Sequence, residues 1–215
     1  SELIDLYLQQ PDPPAMIDLT GGQPDLVPEW VPWMMEELKR RQLGKDVFLW
    51  SDDNLSNDYF WRFLSDTERE LVATYNNYAR VCCFKGFDPE SFEFNTLAEP
   101  ELFDTQFEIF ARLLATGMNL FAYVTITTPS RNQIDGGIRR FVDRLQEVHP
   151  NLPLRTIPLE IQMFTPVLHR LNEVKKEALK NQWLAVEAWT QELENRYSVA
   201  ERSVSICDVR LGSAN

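Results

Sequence analysis

The sequence predicts an α/β fold with parallel strands, arranged as a partial TIM-type (β/α) barrel of about five βα units and a C-terminal helix. Short stretches rich in aromatic and β-branched residues alternate with amphipathic helical stretches. Connections this short imply parallel strands and right-handed crossovers. One face of the predicted strands is also partly polar, whereas a doubly wound sheet is apolar on both faces because helices cover both. We therefore prefer a barrel whose inner face lines a site over an open doubly wound sheet.

The elements follow one another in a regular order along the chain. Residues 1–8 form a predicted helix opened by a capping serine, and Pro28 suits the first turn of the next helix. Gly117 and Pro150 end two later helices, and a final helical stretch is predicted over residues 167–197. The predicted strands centre near Ile17, Phe48, Cys82, Tyr123 and Ile157.

Alternation along the strands predicts which side chains share a face. On the first strand Asp18 and Thr20 lie on one face, and on the fourth strand Tyr123, Thr125 and Thr127 do so. A partly polar strand face is typical of a barrel whose inner face lines a ligand site. The site is therefore predicted at the carboxyl ends of the strands, where ligands bind in barrels and open α/β sheets alike.

Residues suited to binding follow each predicted strand. Two adjacent glycines after the first strand remove the Cβ atoms and let the backbone approach a ligand closely. Lys85 directly follows an apolar strand, which predicts an anionic partner for its ammonium group. Asp52 is expected in a solvated turn or a helix cap. The residues at these strand ends are Gly21, Gly22 and Gln23, then Ser51 to Asn54, then Lys85, Thr127, Thr128 and Glu160.

Composition and charge narrow the range of partners. The 215 residues include 33 acidic and 21 basic side chains, and the resulting net charge of −12 disfavours nucleic acid and anionic membranes. No apolar run approaches the ~20 residues that span a bilayer, so we expect a cytoplasmic protein. Cys82 and Cys83 alternate across a strand and Cys207 lies in a tail, so none is predicted to bind metal. His149 and His169 are isolated, which argues against a zinc site.

Four segments resemble the radical S-adenosylmethionine (radical SAM) superfamily, most closely its members related to activating enzymes of glycyl-radical proteins. They are Ile17–Pro24, Ser51–Asn54, Arg80–Phe92 and Gly117–Thr125. The resemblance spans residues 1 to 165, which implies a barrel domain there and a C-terminal helical extension and tail over residues 166–215. It implies a partial (β/α) barrel that holds a [4Fe-4S] cluster and S-adenosylmethionine at the strand ends.

The resemblance also implies site residues. The Gly-Gly-Glu-Pro motif of the family matches Gly21-Gly22-Gln23-Pro24 and contacts the methionine ammonium group. Gln23 replaces the usual glutamate, and an amide oxygen accepts the same hydrogen bond without the formal charge, so the contact should be weaker. The polar residues of the family that reach the ribose and the methionine carboxylate correspond to Ser51, Asn54, Lys85, Tyr123 and Thr125.

One family feature has no counterpart in the sequence, namely three cysteines spaced Cys-x3-Cys-x2-Cys that ligate the cluster. We therefore expect that the chain begins one strand and one loop late, with the cluster ligands upstream of Ser1, and that the chain alone is inactive. The full-length protein would generate a 5′-deoxyadenosyl radical that abstracts hydrogen from a small-molecule or peptide substrate. Two alternatives stay open: a non-catalytic barrel module that lost its cluster, and a Schiff-base lyase that uses Lys85.

Overall fold

The structure, a computed structural model, describes residues 2–162 and 172–212, and these contain five β-strands and nine α-helices. None of the helices among these residues is long and apolar enough to cross a membrane. The strands are β1 (Met16–Leu19), β2 (Phe48–Asp53), β3 (Tyr78–Phe84), β4 (Leu120–Thr125) and β5 (Thr156–Leu159). The helices are α1 (Glu2–Leu8), α2 (Trp30–Arg40), α3 (Tyr59–Phe63), α4 (Asp66–Thr74), α5 (Pro89–Thr96), α6 (Thr105–Leu114), α7 (Ile134–Val148), α8 (Glu173–Arg196) and α9 (Val199–Arg202).

The five strands form one sheet in the order β1-β2-β3-β4-β5, and the sheet is not closed. The pairs β1–β2, β2–β3 and β4–β5 are parallel. The predicted α/β class with parallel strands is therefore confirmed, and each of the five predicted strand centres lies in or at the start of an observed strand. The strand order follows the chain order without a reversal, whereas doubly wound sheets reverse their order at a switch point.

The chain divides into two compact units. The first comprises Ser1–Cys82 and Arg112–Phe121, and the second comprises Cys83–Ala111 and Ala122–Asn215. The domain boundary predicted near residue 165 stays a prediction.

In the first unit, the apolar positions of α2 recur at helical spacing, so Val31, Met35 and Leu38 are all buried on one side of the helix. Helix α2 packs against α4. Helix α4 begins with a capping box in which the Ser65 hydroxyl accepts from the Glu68 amide and the Glu68 carboxylate accepts from the Ser65 amide. Strand β2 alternates strictly between buried and half-buried residues, which leaves one of its faces partly open.

In the second unit, four phenylalanines pack ring against ring at centroid distances between 5.0 and 5.7 Å. They are Phe84, Phe107, Phe110 and Phe141. Helix α7 packs against α8. The final predicted helix is observed as Glu173–Arg196, and residues 167–171 of that prediction lie outside the described residues.

Candidate functional site

The diglycine at the end of β1 forms an open bend. Gly21 and Gly22 have φ angles of +98° and +130°, which L side chains rarely adopt. Both residues are exposed, and a Cβ atom built on either would meet no atom of the described residues within 4 Å. The backbone of this bend is therefore accessible to a ligand, and glycine is required there by conformation rather than by crowding.

Gln23 and Asn54 tie this bend to the end of β2. The Asn54 amide donates to Gln23 Oε1 at 3.2 Å, and Asn54 Nδ2 lies 3.4 Å from the Gly22 carbonyl oxygen. Gln23 Nε2 is buried and has no hydrogen-bond partner among the described residues. An amide oxygen accepts two hydrogen bonds, and within residues 2–162 and 172–212 Gln23 Oε1 accepts only the one from Asn54, which leaves a lone pair for a ligand. We call residues 21–23 the Gly-Gly-Gln turn.

Acidic and hydroxyl side chains lie beside this turn. Asp18 and Thr20 are exposed at the end of β1, and the Thr20 hydroxyl donates to Asp52 Oδ2 at 2.5 Å. Burial, and then the Asp52 carboxylate, raise the pKa of Asp18. Asp52 belongs to strand β2, so its expected place in a solvated turn or a helix cap is wrong. These side chains place two carboxyl groups at this edge of the first unit.

Ser51 lies on the opposite face of β2 from Asp52. It is buried, and its hydroxyl is 2.7 Å from the Tyr78 hydroxyl. The sequence Ser51-Asp52-Asp53-Asn54 reads as one polar strand end, but the strand continues to Asp53 and sends alternate side chains to opposite faces. Ser51 therefore has no open route to a ligand at the Gly-Gly-Gln turn, and we leave it out of the candidate site.

A buried ionic cluster lies behind the turn, on the Ser51 side of the sheet. Arg80 Nη1 is 3.1 Å from Asp53 Oδ2 and 3.2 Å from Asp25 Oδ1, and all three side chains are buried. Arg80 Nε also donates to the Tyr78 hydroxyl at 3.0 Å, and the Phe60 ring centroid is 5.1 Å from the guanidinium carbon. We call these three residues the Asp25-Asp53-Arg80 cluster.

The protonation of this cluster is unusual. Burial raises the pKa of Asp25 to about 8; Arg80 opposes the rise, and the charge and hydrogen bond of Asp53 add to it. For Arg80 burial acts to lower the pKa, but Asp25, Tyr78 and Asp53 outweigh it and the guanidinium stays charged. As a carboxylate Asp25 has no hydrogen-bond partner in the described part of the chain, whereas as a carboxylic acid it can donate to Asp53. Sequence reasoning missed this cluster, although an arginine inside an otherwise apolar strand signals a buried counterion.

Lys85, Tyr123 and Thr125 lie in the second unit. Lys85 follows β3 and is half-buried, and its backbone amide donates to Gln106 Oε1 at 2.7 Å. No ion pair involves its ammonium group within residues 2–162 and 172–212, so the predicted anionic partner is not found there. Tyr123 and Thr125 are half-buried and alternate with the buried Ala122 and Val124, as predicted, whereas Thr127 lies beyond the end of β4 and is buried.

Five of the eight predicted site residues lie in the first unit and three in the second. The first unit brings four of its five together, namely Gly21, Gly22, Gln23 and Asn54.

The described residues do not fit an iron–sulfur cluster. They contain no group of three or more histidine, cysteine or carboxylate side chains that could hold a metal ion. Cys82 and Cys83 are buried in β3, and Cys207 is exposed. The His149 ring bonds to the Gly212 carbonyl and the Asn151 amide, and His169 lies outside the described residues.

Comparisons of the chain with protein-family models, with curated proteins and with solved structures found no match.

Proposed function

We propose that this chain is the S-adenosylmethionine-binding core of a radical SAM enzyme, and that the Gly-Gly-Gln turn with Asn54 contacts the amino-acid end of the cofactor. The observation that carries the proposal is the open diglycine bend, where both glycines are exposed and no atom of residues 2–162 and 172–212 occupies the space of a missing side chain. This bend lies at the carboxyl end of a parallel strand, which is where ligands usually bind in α/β folds.

The chemistry of the turn suits a cationic amino-acid group. The free lone pair of Gln23 Oε1 and the exposed backbone carbonyls accept hydrogen bonds from an ammonium group. Gln23 lacks the formal charge of the glutamate in the family motif. Asp18 near the end of β1 and Asp52 near the end of β2 instead provide carboxyl groups beside the turn.

The barrel architecture is part of the same proposal. A partial barrel with helices outside requires parallel strands that follow the chain order, and the five strands do so. It also requires an inner face that is not fully covered, and one face of β2 is only half-buried. Lys85, Tyr123 and Thr125 stay predictions from the resemblance.

A second candidate is a non-catalytic module that binds S-adenosylmethionine without a cluster. The placement of the cysteines favours it, because Cys82 and Cys83 lie in β3 with side chains on opposite faces and cannot converge on one metal. Anaerobic iron–sulfur reconstitution of the full-length gene product separates the two candidates. A bound cluster there supports the enzyme, and its absence supports the module.

Binding is tested by titrating the 215-residue chain with S-adenosylmethionine in a calorimeter. We expect measurable binding that weakens at least about tenfold, or about 1.4 kcal/mol, in the Asn54→Ala variant. Asn54→Ala removes the side-chain amide but keeps the backbone amide that holds Gln23. Asn76→Ala, at an exposed asparagine between α4 and β3, is the matched control and should bind like the wild type. No binding by the wild type would contradict both candidates.

A further inference from the structure

The Asp25-Asp53-Arg80 cluster has more acidic than basic groups. Two carboxyl groups face a single guanidinium nitrogen, at 3.2 and 3.1 Å, and all three residues are at most 4% exposed. The charged and titratable groups that act on Asp25 are Arg80 and Tyr78 from β3 and Asp53 from β2, and the Phe60 ring of α3 lies over the Arg80 guanidinium. With both carboxyls ionised, the cluster would bury one uncompensated negative charge, which costs several kcal/mol.

We propose that Asp25 keeps its proton at neutral pH and shares it with Asp53 through a hydrogen bond, and that the protonated cluster acts as a positioning group for the Gly-Gly-Gln turn. The shared proton balances the charge of the cluster and converts two repelling carboxylates into a hydrogen-bonded pair. The functional half of this inference rests on the proposed S-adenosylmethionine site, whereas the shared proton itself does not.

Both chain segments that form the turn are anchored in the cluster. Asp25 lies in the 3₁₀ turn Pro24–Leu26, which begins directly after Gln23, and the Leu26 amide donates to the Gln23 carbonyl at 3.1 Å. Asp53 directly precedes Asn54, and its Oδ1 accepts from the Leu55 amide at 2.7 Å. The contact between Gln23 Oε1 and the Asn54 amide therefore joins two segments that the cluster holds at fixed distance. Loss of the proton would drive Asp25 and Asp53 apart and loosen that contact.

The pKa of Asp25 sets the pH range of the effect. Its value in the folded chain is about 8, against an ordinary 3.8, so between these values the folded state holds a proton that the unfolded state has lost. Stability falls with rising pH wherever the folded state binds more protons than the unfolded state. The contribution of Asp25 is therefore fully present below pH 3.8 and is lost as the pH rises through about 8.

The most direct test is carbon-13 NMR of the aspartate carboxyls in the wild-type chain, recorded from about pH 6 to about pH 9. We expect one aspartate carboxyl signal that titrates near pH 8 and disappears in the Asp25→Asn variant. The amide signals of Gly21, Gly22 and Asn54 should shift with the same midpoint in the wild type and stay fixed in Asp25→Asn. A purely structural role of Asp25 would not produce this coupled titration.

Three variants sharpen the test through the pH dependence of urea unfolding. Asp25→Asn mimics the protonated acid and should abolish the loss of stability with rising pH in this range. Asp53→Asn removes the carboxylate that raises the pKa of Asp25, so the loss should move to lower pH. Asp52→Asn, on the same strand but the opposite face, should keep the wild-type pH dependence.

The outcomes separate this inference from the proposed function. If Asp25 is ionised throughout the range and the wild type and Asp25→Asn change stability in parallel, the inference is overturned. It is also overturned if the carboxyl titrates near pH 8 while the turn amides do not respond. If both respond but S-adenosylmethionine does not bind at any pH, the proposed function fails and the shared proton stands.

Discussion

The segments that follow the strands are held by different chemistry in the two units. In the first unit, a buried ionic cluster holds these segments, because Asp25, Asp53 and Arg80 join the 3₁₀ turn after β1 to the end of β2. In the second unit, the neutral side-chain amides of glutamine and asparagine hold them. Gln106 binds the Lys85 amide, Asn95 binds Thr127, Asn181 binds the Thr128 carbonyl, and Gln182 binds both backbone groups of Ile161.

This difference has a physical consequence. An amide side chain does not titrate, so the hydrogen bonds of the second unit keep their strength across the neutral range. One guanidinium balances the charge of only one carboxylate. In a pair of carboxyl groups that share a guanidinium, the protonation of the pair therefore changes with pH. We therefore expect the pH dependence of the strand ends to be confined to the first unit, next to the candidate site.

Replacing Arg80 by methionine should have the largest effect. Removing the cation leaves two buried carboxyl groups without a counterion, and breaking a buried pair in this way costs about 3–5 kcal/mol. Urea unfolding at neutral pH measures the loss. Arg62→Met is the control, because Arg62 forms an ion pair with Asp58 at the surface and should contribute at most about 1 kcal/mol. Equal stabilities for the two variants would contradict the ionic account of the first unit.

Replacing Asn95 by alanine should have an intermediate effect that does not depend on pH. The change removes two hydrogen bonds to Thr127, at 3.0 and 2.6 Å, and leaves polar groups of Thr127 without partners, at a cost of about 1–3 kcal/mol. Urea unfolding at several pH values measures both the loss of stability and its dependence on pH. Asn132→Ala, at an exposed position, should be neutral. A cost that changes steeply with pH would remove the contrast between ions and amides.

Replacing Gly22 by alanine should have the smallest effect on stability. The added Cβ meets no atom within 4 Å, so the cost is the strain of a φ near +130°, about 1–2 kcal/mol. Gly136→Ala is the matched control, and it should raise the stability instead of lowering it. Gly136 lies inside α7, where alanine is favoured over glycine by about 0.5–1 kcal/mol. Thermal unfolding compares the two, and a stabilising Gly22→Ala would show that the bend does not need glycine.

Much of the fold could be predicted from the sequence because strand and helix periodicity are local. The strand centres and the alternation on β4 follow from side-chain spacing alone. The open bend at Gly21 and Gly22 was also predictable, since adjacent glycines are a local signal.

The role of the polar run at the end of β2 could not be predicted in the same way. Whether Ser51 and Asp53 face a ligand or the interior depends on where the strand ends, and that is set by pairing with β1 and β3. The burial of Asp25 and Arg80 depends on contacts between residues far apart in sequence, which no local pattern contains. The one local signal was Arg80 itself, inside an apolar strand.

The central claim is that the Gly-Gly-Gln turn binds the amino-acid end of S-adenosylmethionine. Its most direct measurement is an amide NMR titration of the nitrogen-15-labelled chain with S-adenosylmethionine. We expect the amide signals of Gly21, Gly22 and Asn54 to move together and saturate, while the signal of Gly44, between α2 and β2, stays in place. Saturating shifts confined to other residues, or no shifts at all, would contradict the claim.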